Sequence, residues 1–329
     1  MEQIEIGSSG IRASRIGLGT WAIGGWMWGG IDEREAIATI QRAVELGVTL
    51  IDTAPVYGFG RSEEIVGKAL KEAGLRGKVQ IATKAGLDWK DGKVFRDSRA
   101  ARLRTEVEDS LRRLQTDVLD VYQIHWPDLE TPLEETARVL EDLRREGKIR
   151  AIGVSNFSPA QMDAFRAVAT LDAVQPPYNL FERDIEADVL PYAARTGLTV
   201  LSYGAICRGL LSGRIDASTT YEGDDLRKID PKFSGERFQE YLAAVQALEA
   251  LARERFGKSV LALAVRWVLD KGPTIALWGA RRPQQLDPVG EILGWHIDAQ
   301  SMADIDAILA RCIREPIAPT YMAPPVKRP

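Results

Sequence analysis

Histidine and cysteine are scarce in this chain, with two of each among 329 residues. Cys207 and Cys312 lie far apart and outside any ligand-like spacing, which excludes a disulfide framework and points to a reducing compartment. With His125 and His296 alone and no HExxH, a metal hydrolase has no ligand set to build on, and no metal is expected. No apolar run reaches the roughly 20 residues of a membrane span. The opening MEQIEIGSSG carries acids where a secretion signal has a basic and then an apolar stretch. A cytoplasmic protein with no membrane partner is the expectation. An excess of positive charge is also lacking. Forty-three Lys and Arg against 47 Asp and Glu leave a net charge of −4, so no nucleic-acid surface is expected.

What is present is alternation. Short apolar, β-branched stretches take turns with longer amphipathic ones. QIEIGSSGIRAS reads as a hairpin and SRIGLGT (14–20) as a strand, followed by a helix over 32–47 with Asp32 as N-cap. The unit recurs: VTLID (48–52) before a helix at 62–74, VQIATK (79–84) before 98–115, and VLDVYQIH (118–125) before 132–147. RAIGVSN (150–156) precedes 158–169, AVQPPYN (173–179) precedes 184–197, and TVLSYG (199–204) precedes a long loop and a helix at 233–257. A further helix at 259–272 reaches TIALWG (274–279) and a helical stretch at 282–293; a last helix near 300–313 and a Pro-rich tail follow. Eight β-then-α units without a linker predict one α/β domain over 1–329. The architecture expected is a closed (β/α)8 TIM barrel with the N-terminal hairpin at its bottom and an extra C-terminal helix and tail.

Two motifs are decoys. GLGTWA (17–22) matches a dinucleotide fingerprint, but the next helix waits until residue 32, so no helix N-terminus meets a pyrophosphate there. Gly67-Lys68 lacks the remainder of a phosphate-binding loop.

Asp52, Tyr57, Lys84 and His125 sit at or just past the ends of successive strands, where barrels build their sites. Singly, each has a bland structural explanation; together they make chemical sense. A phenol near its ordinary pKa is a weak acid at neutral pH, and an ammonium beside it is expected to lower that pKa. Asp52 would orient Lys84, and His125 would polarise the same carbonyl oxygen.

The four residues lie in segments that resemble the aldo-keto reductase superfamily: LIDTAPVYGFGRSEEIVGKAL (50–70), IATKAG, VYQIHWPD, GKIRAIGVSNF (147–157), VQPPYNLFER (174–183) and LSYGAICRGLLSGR. Within it the chain looks closest to bacterial NADP-using reductases related to potassium-channel β-subunits. The resemblance implies an Asp-Tyr-Lys-His tetrad in a barrel and transfer of a hydride from NADPH to a carbonyl, with Tyr57 as the proton donor. It implies cofactor contacts from Ser155, Asn156 and Gln175, and an aromatic stack from Tyr203. Gly204, Ala205, Ile206, Arg208, Gly209 and Leu210 would line the pyrophosphate, with Thr20, Trp21, Asp52, Arg214 and Gly279 completing the cofactor set. Arg281 on the 2′-phosphate and Gln285 near the adenine favour NADP(H) over NAD(H).

Substrate contacts are expected from Tyr57 and His125 and from an aromatic lining of Trp21, Trp28, Trp89 and Trp126. The loops at 21–28, 86–97 and 214–234 and the tail from about Ile317 would carry that lining. The partner is then a small carbonyl compound or alcohol, with a monomer as the default state. Two other readings stay open: an NADPH-binding regulatory or redox-sensing subunit with slow turnover, and an unrelated barrel isomerase or lyase.

Overall fold

The computed structural model describes residues 1–326. The N-terminal hairpin pairs β1 (Gln3–Glu5) with β2 (Arg12–Ser14), antiparallel, with Ile4 opposite Ala13. Then come β3 (Ile16–Gly19) and α1 (Glu33–Glu45), β4 (Leu50–Asp52) and α2 (Arg61–Glu72), and β5 (Gln80–Ala85). A second hairpin, β6 (Leu87–Lys90) with β7 (Lys93–Arg96), precedes α3 (Ala100–Leu114). The next units are β8 (Leu119–Ile124) with α4 (Leu133–Arg145), β9 (Ile149–Ser155) with α5 (Pro159–Arg166), and β10 (Ala173–Gln175) with α6 (Val189–Thr196). After β11 (Thr199–Ser202) come α7 (Gly235–Phe256) and α8 (Val260–Asp270), then β12 (Thr274–Gly279) and finally α9 (Ala299–Cys312).

Strands β3, β4, β5, β8, β9, β10, β11 and β12 are hydrogen-bonded in that order, all parallel, and β12 closes back on β3. This is the expected (β/α)8 barrel. Local signals explain its elements. Asp32 accepts the Arg34 and Glu35 N–H groups to start α1, whose Ala36, Ile40 and Ala43 face inward. Ser158 and Gln161 form a capping box with Pro159 at the first helical position of α5. Ile6, Ile11 and Ala13 of the first hairpin pack in one apolar cluster with Leu50, Ala82, Val121, Ala151, Ala173, Leu201 and Ile275 from the barrel strands. Leu50 and Ala173 open their strands, so the hairpin seals the N-terminal end and the C-terminal end is left for a site.

Three local expectations are corrected. The stretch after β12 is a 3₁₀ helix, Pro283–Ile292; in an α-helix the Pro288 ring would clash with the carbonyl four residues back. The helix expected over 184–197 splits at Asp188, whose carboxylate caps a fresh start at Val189. The segment 86–97 is a hairpin rather than a plain loop. Its turn is Asp91-Gly92, both at positive φ (50° and 73°), and Asp-Gly is a strong hairpin signal.

Candidate active site

Side chains alternate across a barrel strand, so β5 sends Thr83 outward to Glu63 and Lys84 inward. Lys84 is fully buried. Its Nζ donates to Asp52 Oδ1 at 2.6 Å, to the Thr53 carbonyl at 2.9 Å and to the Tyr57 hydroxyl at 3.3 Å. Asp52, ending β4, also accepts Gln175 Nε2 at 2.8 Å and Gln123 Nε2 at 3.3 Å. The His125 ring meets the Tyr57 ring edge-on, centroids 5.6 Å apart. All four residues expected from the sequence thus meet at the open end of the barrel.

Tyr57 is held from behind by a backbone contact. A Cβ on Gly24 would lie 2.6 Å from the Tyr57 carbonyl, and one on Gly58 (φ +67°) would lie 2.2 Å from the Gly24 oxygen. Glycine at both positions lets the loop after β3 clasp the loop after β4.

The electrostatics correct one expectation. Burial and the neighbouring Asp52 carboxylate push the Tyr57 phenol well above its ordinary pKa, rather than Lys84 pulling it down. The reason is geometric: Asp52 lies on the ammonium and cancels much of its field at the phenol. Burial lowers the Lys84 pKa, with Asp52 opposing. Burial and then Lys84 drive His125 well below its ordinary value, so the imidazole is neutral at physiological pH and can donate from one ring nitrogen. The site holds a protonated phenol and a neutral imidazole side by side.

Two cavities meet here, sharing Trp21, Tyr57, Tyr203 and Met322 as walls. Thr20, Trp21, Asp52, Gly204, Ile206, Arg208, Gly209, Gly279, Arg281 and Gln285 line the first. Ser155, Asn156, Gln175, His125 and Trp126 line the second, a space of about 410 Å³. Tyr203 donates its hydroxyl to Asn156 Oδ1 at 3.0 Å, and Asn156 Nδ2 donates to the His125 carbonyl at 3.0 Å. The shared wall is thereby tied to His125, just past the end of β8.

Other expected contacts fall elsewhere. Ala205 and Leu210 are buried in the core and Arg214 is exposed; none lines either cavity. The Arg208 guanidinium turns into the protein, paired with Glu182 and, at 2.7 Å, with Asp230, so its charge is spent internally. Trp28 lines the first cavity, not the second. Trp89 lies against Phe59 and Arg102, away from both. The Arg281 and Arg282 N–H groups are both taken by Gln285 Oε1, so that helix start offers them to no anion; the Arg281 side chain puts one nitrogen on the Trp28 carbonyl at 2.6 Å, and Arg282 turns to Glu35 at 3.3 Å.

Sequence reasoning missed Arg227. It lines the first cavity beside Arg281, held bidentately by Asp225 and packed over the Tyr221 ring at 4.1 Å. It sits in a loop without periodicity, so only its neighbourhood (214–234) was legible. Also missed were Lys93 and Val94 of the second hairpin and Tyr321 and Pro324 of the tail. The tail is fastened across the mouth: Tyr321 donates to Asp230 at 2.6 Å, and Arg96 donates to the Pro324 carbonyl at 3.0 Å.

A barrel of this topology with these four groups at its C-terminal mouth defines a class, and the comparisons agree. The chain belongs to the aldo/keto reductase family of oxidoreductases, whose family model matches residues 15–310. It is 59% identical over 328 residues to the aldo-keto reductase YhdN of Bacillus subtilis (strain 168), covering 99% of each chain. A solved structure of the glycerol dehydrogenase AKR11B4 from Gluconobacter oxydans superposes with a TM-score of 0.89 at 57% identity, covering 98% of this chain and 99% of that one. The NADH-specific methylglyoxal reductase of Escherichia coli (strain K12) is 35% identical, covering 96% of this chain and 99% of its own. The family uses nicotinamide cofactors. Among the described residues no helix is long and apolar enough to cross a membrane, and no group of three or more His, Cys, Asp or Glu is placed to hold a metal.

Proposed function

We propose that this protein reduces aldehydes and ketones to alcohols, or runs the reverse, with Tyr57 as general acid and base. The observation that carries the reading is the Tyr57 hydroxyl on Lys84, with Asp52 behind it and His125 beside it, where the two cavities meet. The first cavity suits a dinucleotide. Trp21 and Trp28 on its wall each bury an indole N–H without a hydrogen-bond partner, and Arg281 and Arg227 bring two guanidinium groups to one end. A bound nicotinamide cofactor supplies the hydride.

The chain's own residues do the rest. Tyr57 and the neutral His125 both offer hydrogen bonds to a carbonyl oxygen, which withdraws electrons from its carbon. Tyr57 is protonated at neutral pH and gives its proton to the developing alkoxide, whose basicity drives the transfer although burial and Asp52 make the phenol a weaker acid. Once the phenolate forms, Lys84 at 3.3 Å stabilises it. Trp26, Val56, Leu87, Trp126 and the tail exclude water and favour a carbonyl compound with an apolar body. Arg281 and, shared with Asp225, Arg227 favour NADP(H) over NAD(H), because a 2′-phosphate would add negative charge that their guanidinium groups can pair with.

The test mixes protein with NADPH or NADH and a carbonyl panel that includes methylglyoxal and glyceraldehyde, with glycerol for the reverse direction, and follows nicotinamide absorbance. Tyr57→Phe should cost roughly 10²–10⁴-fold in kcat while cofactor still quenches tryptophan fluorescence. A wild-type protein that quenches but hardly turns over would favour the regulatory-subunit reading. One that does neither would overturn the proposal.

A further inference from the structure

Behind the site, on the outer side of β5, lies a carboxyl group with no part in the chemistry above. Glu106 of α3 is buried, 1% exposed. Its Oε2 accepts the Gly86 N–H at 3.0 Å; its Oε1 has no hydrogen bond and lies 3.6 Å from Arg102 Nη2. Gly86 has φ +85°, and a Cβ there would lie 2.6 Å from Ser98 Oγ, so the backbone takes a turn here that glycine alone fits without strain.

The peptide between Ala85 and Gly86 is gripped on both sides. The Ala85 carbonyl accepts the His125 backbone N–H at 2.9 Å, and the Gly86 N–H goes to Glu106. Lys84 is the residue before this peptide. Just beyond it, the Gly86 carbonyl accepts the Asp97 N–H at 3.0 Å and closes the β6–β7 hairpin, which carries Leu87, Lys93 and Val94 to the second cavity. Arg102 extends the grip, reaching Asp88 of β6 at 3.3 Å and lying over the Trp89 ring at 5.9 Å.

We propose that Glu106 is a positioning residue for carbonyl reduction: by holding the Ala85–Gly86 peptide it sets Lys84, His125 and the hairpin wall against the substrate. This rests on the reductase reading above. The groups facing it are Arg102 of its own helix, Glu63 of α2, Asp88 of β6 and Tyr122 of β8. Burial pushes its carboxyl up to about 8, Glu63 and Asp88 adding to the rise while Arg102 and the Gly86 N–H oppose it. The carboxyl therefore changes charge near neutral pH. Ionised, it is the stronger acceptor for Gly86 and the better partner for Arg102.

The experiment measures KM for a turned-over carbonyl and kcat across roughly pH 6.5–9.5, spanning that titration, for wild type, Glu106→Ala and Glu106→Gln. It adds NADPH affinity by fluorescence quenching and amide exchange of residues 85–97 by mass spectrometry. Glu106→Ala should raise KM several-fold and lower kcat, because the hairpin wall, Lys84 and His125 lose their setting, should change NADPH affinity less than KM because no residue of 85–97 lines the first cavity, and should speed exchange in 85–97. Glu106→Gln should restore exchange protection, yet lose the step in KM near pH 8 that the wild type shows. Unchanged KM and exchange in Glu106→Ala, or a pH step that survives in Glu106→Gln, would overturn the proposal. Should Glu106→Ala not fold, the pH step in Glu106→Gln decides. A wild type without turnover overturns the reductase reading instead, and the exchange arm still reports on the grip on Gly86.

Discussion

Replacing Asp52 by Asn leaves Lys84 buried with its charge uncompensated. In the wild type the pair is 2.6 Å apart with both side chains almost wholly out of water. Lys84 would retain the Thr53 carbonyl and the Tyr57 hydroxyl, neither of which carries the opposite charge. Orphaning one member of a buried pair costs about 3–5 kcal/mol, a fall in thermal midpoint on the order of 10 °C for a chain of this size. Lys84→Met should cost a similar amount, because Asp52 would keep only the two glutamine amides. The double variant removes both charges, so its loss should be smaller than the sum of the singles by about 2 kcal/mol or more. Denaturant unfolding of the four ligand-free proteins measures this. Carbonyl reduction should be nearly abolished in all three variants, so the double variant recovers stability without activity. Additive losses would refute the reasoning, because they would mean that the two charges do not stabilise one another.

Gly24→Ala should cost both stability and turnover, since its methyl group would press on the Tyr57 carbonyl; unchanged kcat with unchanged melting would remove the clasp from the account. Arg281→Ala and Arg227→Ala should each lower preference for NADPH over NADH by roughly tenfold, the scale of one charged hydrogen bond; measuring kcat/KM with both cofactors checks this. His125 has a folded pKa depressed below its ordinary 6.5, so its share of stability is present above that pH and is lost as pH falls toward the folded value. The thermal midpoint should therefore drop between about pH 7 and 5, and drop less in His125→Gln.

Asp52, Lys84 and His125 were legible because a titratable residue closing an apolar strand has few places to point in a parallel barrel. Tyr57 was legible through its sequence neighbours, but its pKa direction was not. That depends on how closely Asp52 approaches Lys84, a distance that no spacing encodes. The tryptophans divide along the same line. Trp126, next to a strand end, faces the second cavity, whereas Trp28 and Trp89 sit where the course of the loop or hairpin decides which wall, if any, they join. Arg208 reads as a free charge in sequence because its partners, Glu182 and Asp230, come from separate loops. Arg227 is hidden for the converse reason: its role depends on a loop returning to Arg281. Asp91-Gly92 is a readable turn signal within a stretch that otherwise reads as loop.

The clasp of Gly24 on Tyr57 and Gly58 also bears on how such a protein can change over generations. Tyr57 is fixed by backbone against backbone, and Lys84 by a strand and by Asp52, so their placement depends little on the side chains that the hairpin, the long loop and the tail turn toward the second cavity. Those three segments can drift, lengthen or exchange residues while the reacting groups stay where they are. Substitutions accumulating in descendants should therefore crowd into the walls and spare the two glycines, allowing new substrates to be taken up without rebuilding the chemistry.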